Sequence, residues 1–122
     1  AAAQRAVDWL ASRQNPDGGF GGDCRSYGSL EDSQDWHGRG ESTPSQTAWA
    51  LMALVSAGAA GSELAVRAVD WLSATQRDDG DWNEESFTGT GFPGDFIIRY
   101  HLYRIVWPMI ALGRYRAARA SY

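Results

Sequence analysis

The chain has 122 residues, 43% hydrophobic and 12% aromatic with six Trp, which is room for one domain and enough bulky apolar surface for a core. A net charge of −4, with all eleven basic residues Arg, gives no electrostatic reason to expect nucleic acid and leaves no polybasic membrane patch. The single cysteine, Cys24, excludes an internal disulfide and suits a reducing cytosol, and no stretch reaches the roughly 20 apolar residues of a membrane span or has the layout of a signal peptide.

Residues 2–14 predict an amphipathic helix, with Ala3, Ala6, Val7, Leu10 and Ala11 on one face and Asp8, Ser12 and Arg13 elsewhere. Asn15-Pro16-Asp17-Gly18-Gly19 stops it, and residues 21–42 read as a polar surface loop. Thr43-Pro44-Ser45-Gln46 is a helix start: Thr43 caps, Pro44 takes the first helical position, and Gln46 completes a capping box. The helix over 44–57 is apolar on nearly every side, so it must be enclosed by other helices; Gly58 and Gly61 end it. Residues 62–76 predict a second amphipathic helix with a polar side at Glu63, Arg67 and Asp70. A Gly-rich link over 88–94 leads, with Asp95 as N-cap, into a last helical region that Pro108 should split into 96–106 and 108–120. No strand alternation is visible.

The first and third helices belong to one repeat. Arg5, Ala6, Val7, Asp8, Trp9, Leu10, Gln14, Asp17 and Gly18 each recur 62 positions later, and Phe20 recurs as Trp82. Such a repeat means stacked supersecondary units, here concentric layers of outer and inner helices. Gln14 and Gln76, at the ends of their helices, are expected to stack on the closing aromatics Phe20 and Trp82 and to bond orphan helix-terminal groups as a structural clasp. The chain opens inside a repeat unit, as a piece of something longer would.

Phe96, Tyr100, Tyr103 and Trp107 fall at i, i+4, i+7 and i+11, one aromatic stripe with Phe92 near its start. A stripe at helical spacing is ordinarily core. Its two tyrosines favour a cavity, since each hydroxyl needs a partner, and a wall of π-faces holds a carbocation without quenching it. The acids carry less chemistry. Asp17 and Asp79 sit in turns, Asp8 and Asp70 face solvent, and Glu31, Asp32, Asp35 and Glu41 lie in the polar loop, so none forms a proton-sharing cluster. His37 and His101 are isolated and Cys24 has no partner at ligand spacing, which leaves metal binding unsupported. Gly18-Gly19-Phe20-Gly21-Gly22 has no Lys and no preceding strand, so it does not read as a phosphate loop.

Arg5-Ala-Val-Asp-Trp-Leu…Gln14…Asp17-Gly-Gly-Phe20 and its copy at 67–82 resemble the QW motifs of triterpene cyclases. Gly22-Asp-Cys-Arg-Ser-Tyr27, Ser42-Thr-Pro-Ser-Gln-Thr-Ala-Trp-Ala-Leu-Met-Ala-Leu54, Thr88-Gly-Thr-Gly-Phe-Pro-Gly-Asp-Phe96 and Ala111-Leu-Gly-Arg-Tyr115 are similar to the C-terminal part of squalene–hopene cyclases. The resemblance covers essentially the whole chain. It implies an all-α fold, part of an (α/α)6 barrel, with residues 1–122 as the C-terminal portion of the catalytic barrel. It implies further an isomerase that protonates a linear C30 polyene with an Asp-x-Asp-Asp cluster and cyclises it to hopene or hopanol through cations, using no metal or organic cofactor. Carried over by motif, Gly91, Phe92, Phe96, Ile98, Tyr100 and Tyr103 line the cavity.

The Asp-x-Asp-Asp acid is absent from this chain and is expected upstream, so the chain alone is expected to be inactive; the loop between Tyr27 and Gly40 is longer than usual. The expected partners are the polyprenoid substrate and the remainder of the barrel, with the full enzyme cytoplasmic and peripheral to a membrane. Alone, the chain is expected to expose apolar surface around Leu51, Leu54 and the aromatic stripe, and to self-associate. The alternatives are a non-catalytic helical interaction module on the same repeat, or a prenyltransferase subunit, for which no zinc site is visible.

Overall fold

A computed structural model describes residues 1–27, 34–87, 89–90 and 97–121. Among these, four α-helices carry the fold: α1 (Ala2–Arg13), α2 (Pro44–Ser56), α3 (Glu63–Thr75) and α4 (Tyr103–Ala120), with short 3-10 turns at Cys24–Tyr27 and Gln34–Trp36. Helix α2 packs along both α3 and α4, which touch each other little. Ala48, Leu51 and Leu54 of α2, Ala65, Ala68 and Leu72 of α3, Ala111 of α4 and the ring of Phe20 make one core. Removing a Leu side chain from water is worth about 1.5–3 kcal/mol, so this apolar seam, more than helix propensity, holds α2 in place.

The two repeat turns are superimposable bond for bond. Gln14 and Gln76 both leave the helix at extended ψ, 128° and 131°, and each N–H still donates into the last turn, to the carbonyls of Leu10 and Leu72. The Gln14 amide donates to the Gly18 carbonyl at 2.9 Å, and the Gln76 amide to that of Gly80 at 2.9 Å. Asp17 and Asp79 each accept from the N–H two residues on. Gly18 and Gly80 take φ of 95° and 86°, the region that only glycine enters at no steric cost. Both amides thus bond a carbonyl of their own turn. The ring makes its own bond: Trp82, fully buried, donates from Nε1 to the Leu72 carbonyl at 2.9 Å.

Several expectations need correction. Thr43 does cap α2, accepting from the Gln46 N–H at 3.2 Å, but the capping box does not close, because the Thr43 N–H donates to the Phe20 carbonyl. The chain is not helical over 97–102: Ile97–Ile98 pairs antiparallel with Gly89–Thr90, and α4 begins only at Tyr103, with Leu102 as N-cap. Asp95, the expected cap, lies outside the described residues. Pro108 does not split the helix. It sits five residues in, so its missing N–H removes one backbone bond while its ring is fully buried, and α4 runs on to Ala120.

Burial departs from expectation too. Leu51 and Leu54 are fully buried rather than exposed, because α3 and α4 of the same chain cover them. Helix α2 is enclosed on that side only; Ala53 is exposed and Met52 and Val55 are half-buried. Helix α1 buries none of its residues.

Candidate active site: an aromatic wall

Helix α2 brings Trp49 to the start of α4. The ring of Trp49 meets Tyr103 edge to face, with centroids 5.7 Å apart, and Trp107 at 6.0 Å. Tyr103 and Trp107, one turn apart on α4, are themselves T-shaped at 6.0 Å. Tyr100, in the segment before the helix, stacks on Tyr103 at 4.6 Å. These separations are those at which aromatic pairs attract through their quadrupoles. Tyr100 is 43% exposed, and Tyr103 and Trp107 are half-buried, so the cluster forms a wall with an open side.

The sequence placed Tyr100, Tyr103 and Trp107 on one helical stripe. The structure brings the three together by another route, two in α4 and one before it. Ile98, half-buried, ends the short strand that pairs with Gly89. Gly91, Phe92 and Phe96 lie outside the described residues, as do Glu31 and Asp32 of the long loop. Trp49 was missed as a wall residue. Its signal was a lone indole in a run of Ala, Leu and Met, where an aromatic means a particular neighbour rather than filler.

The cation beside the wall is tied down. Arg104, next in sequence to Tyr103, is held in a two-bond pair with Asp81, Nε and Nη2 each 3.1 Å from a carboxylate oxygen. The Arg104 guanidinium in turn holds the Asp81 carboxyl below its usual range. A cation tied in this way cannot compete for the π-faces. Among the described residues the buried Trp107 indole N–H has no hydrogen-bond partner, and an unpaired buried donor costs about 1–3 kcal/mol. Wall residues with π-faces and no carboxylate among them can stabilise a passing positive charge without capturing it.

The other polar groups fall elsewhere. Glu84 is buried and accepts from the Ser45 N–H and hydroxyl at 3.0 and 2.6 Å, which caps α2. Asp23 pairs with Arg25, whose hydrogen bonds hold its carboxyl down at about 2. The Arg25 guanidinium lies 3.3 Å over the Trp36 ring. His37 presents its carbonyl to Arg13. Among the described residues no group of three or more His, Cys, Asp or Glu is arranged to hold a metal ion, and no helix is long and apolar enough to cross a membrane.

Comparison with known proteins agrees over nearly the whole chain. It is 57% identical over 98 residues to the squalene–hopene cyclase of Alicyclobacillus acidocaldarius, an alignment covering 80% of this chain and 15% of that protein. It is 48% identical over 116 residues to the squalene–hopene cyclase of Bradyrhizobium diazoefficiens, covering 95% and 17%. To the lanosterol synthase of Saccharomyces cerevisiae it is 36% identical over 121 residues, covering 98% and 16%. The chain therefore spans less than a fifth of the length of these relatives. Residues 1–117 match the family model of the squalene-hopene cyclase C-terminal domain. With its helices arranged as part of an (α/α)6 barrel, the chain belongs to that family.

Proposed function

We propose that residues 1–122 are the C-terminal portion of an isomerase-type cyclase that converts a linear triterpene, squalene, to hopene or hopanol through carbocations. The chain supplies cavity wall and not the acid that starts the reaction. The observation that carries this reading is the wall itself: Trp49, Tyr100, Tyr103 and Trp107 interlocked at 4.6–6.0 Å, with the neighbouring cation Arg104 tied to Asp81.

In this reading a proton from an Asp-x-Asp-Asp cluster outside residues 1–122 adds to a terminal alkene, and ring closure moves the positive charge along the folded polyene. Proton loss gives hopene; capture of water gives hopanol. Phe92, Phe96, Tyr100 and Tyr103 line the cavity near the late cations, with Gly91 and Ile98 shaping it and Trp49 and Trp107 backing the tyrosines. An aromatic face attracts charge as it develops, so it favours the transition state over the bound polyene. Because squalene is apolar, the complete enzyme works against a membrane from the cytoplasmic side.

The test is a squalene assay on the full-length protein that contains this chain, read by mass spectrometry of the products. Pentacyclic products are expected from the full protein and none from the 122-residue chain. A folded full-length protein that leaves squalene unchanged would make the chain a non-catalytic helical module. Turnover by the chain alone would place the acid within it and overturn the division of labour.

A further inference from the structure

Residues 81–85, which close the second repeat, reach every segment that carries the aromatic wall. Asp81 holds Arg104, next in sequence to Tyr103, through two bonds of 3.1 Å. The Glu85 carbonyl accepts from Arg99, next in sequence to Tyr100, at 3.1 Å. Glu84 takes both the N–H and the hydroxyl of Ser45 on one oxygen, Oε1, at 3.0 and 2.6 Å. Ser45 lies one turn before Trp49 on the same face of α2. Trp82, between Asp81 and Glu84, is fully buried and pins the segment to α3 through the Leu72 carbonyl.

Neither the turn nor the helix needs the Glu84 carboxylate for its own sake. The first repeat builds the same turn with Gly19 in the place of Asp81 and Gly22 in the place of Glu84. Helix α2 already has Thr43 as its cap. Yet Glu84 is only 8% exposed, and a carboxylate leaves water at a cost that hydrogen bonds must offset. Among the described residues its bonds both come from Ser45, one from the backbone and one from the side chain. Bonds to a charged oxygen are short and strong, so the pair fixes both the position and the tilt of the first turn of α2. Because backbone hydrogen bonds lock each turn of a helix to the next, Trp49 goes where Ser45 goes.

We infer that Glu84 is a positioning residue for the cyclisation, acting through Ser45 to fix the Trp49 indole against Tyr103 and Trp107. Asp81 and the Glu85 carbonyl hold the tyrosine side of the same wall, so residues 81–85 bracket it from both sides. This role rests on the cyclase reading above. What matters in Glu84 is then the reach of its side chain more than its charge. A ring moved by about 1 Å meets the developing charge off centre, which slows turnover and lets cations escape early without loosening the bound polyene.

The test is product analysis and steady-state kinetics with squalene on the full-length protein and three variants. Glu84→Asp keeps the charge and shortens the reach. It should raise the share of partly cyclised products and lower kcat about tenfold, with KM within about twofold of wild type. Glu84→Gln keeps the reach and an accepting oxygen without the charge, and should hold the wild-type product ratio. Ser45→Ala removes one of the two bonds and should shift the products as Glu84→Asp does, but less; where Glu84→Asp does not fold, it reads the same contact alone. Wild-type product ratios in Glu84→Asp or in Ser45→Ala overturn the proposal. So does a Glu84→Gln mixture as altered as that of Glu84→Asp, which would make charge the working feature, and so does a change confined to KM. Squalene left intact by the wild-type protein overturns the cyclase reading and this role with it, whereas cyclisation indifferent to residue 84 overturns the positioning role alone.

Discussion

Trp82 and Phe20 hold the same place in two copies of one motif, yet only the indole can donate a side-chain hydrogen bond. Both rings are buried, at 0% and 4% exposure, so the position is defined by volume first. Trp82→Ala should destabilise the chain by about 3–5 kcal/mol in denaturant melts, the range for a large aromatic lost from a core. Trp82→Phe keeps most of that volume and loses the bond to the Leu72 carbonyl, which also accepts from the Gln76 N–H, so a loss of roughly 1–2 kcal/mol is expected. Equal losses for both variants would mean that the bond, not the ring, dominates. In the full enzyme, Phe96→Ala should lower turnover more than binding and release partly cyclised products. Tyr100→Phe should be milder, because the π-face survives. Product analysis separates the two, and an unchanged mixture from Phe96→Ala would remove that ring from the wall.

The start of α4 shows what an element owes to residues outside it. Periodicity alone put the helix at 96, but its first turn is fixed by Asp81, which lies in the second repeat turn and holds Arg104. That pairing is a tertiary fact, and no local pattern announces it. The repeat turns were legible for the opposite reason: Gln, Asp and Gly act through backbone groups within five residues, so spacing alone specifies them. The Thr43 cap was equally local. Trp49 as a wall residue, and the unbroken helix through Pro108, depended on neighbours that only packing supplies.

The same ion pairs make a pH prediction. Hydrogen bonds from Arg104 and Arg77 lower the carboxyls of Asp81 and Asp79 below their usual 3.8, and those from Arg25 lower Asp23 to about 2. The unfolded chain therefore binds protons first, so the stabilisation is complete above about pH 4 and is lost as pH falls through the folded values toward 2. Urea midpoints should be flat near neutrality and drop below about pH 4, with a shallower acid-side drop in Asp81→Asn.

At the scale of the whole molecule, cohesion is uneven. Helix α2 lies in the core while α1 buries none of its residues, so amide exchange should be slowest in α2 and fastest in α1 among the helices. Equal protection of α1 in a dilute monomer would contradict this ranking.

Between α2 and α3 the core contains Ala48, Ala65 and Ala68, all without measurable exposure. Side chains this short act as a spacer of fixed thickness between two cylinders. Trp49 follows Ala48 directly, so whatever thickens the spacer carries the indole across Tyr103 and Trp107. Ala65→Val should therefore do more than destabilise by overpacking, about 1–3 kcal/mol. It should alter the ratio of cyclisation products in the full enzyme while touching no substrate. The gauge of a remote seam becomes a setting for where positive charge comes to rest.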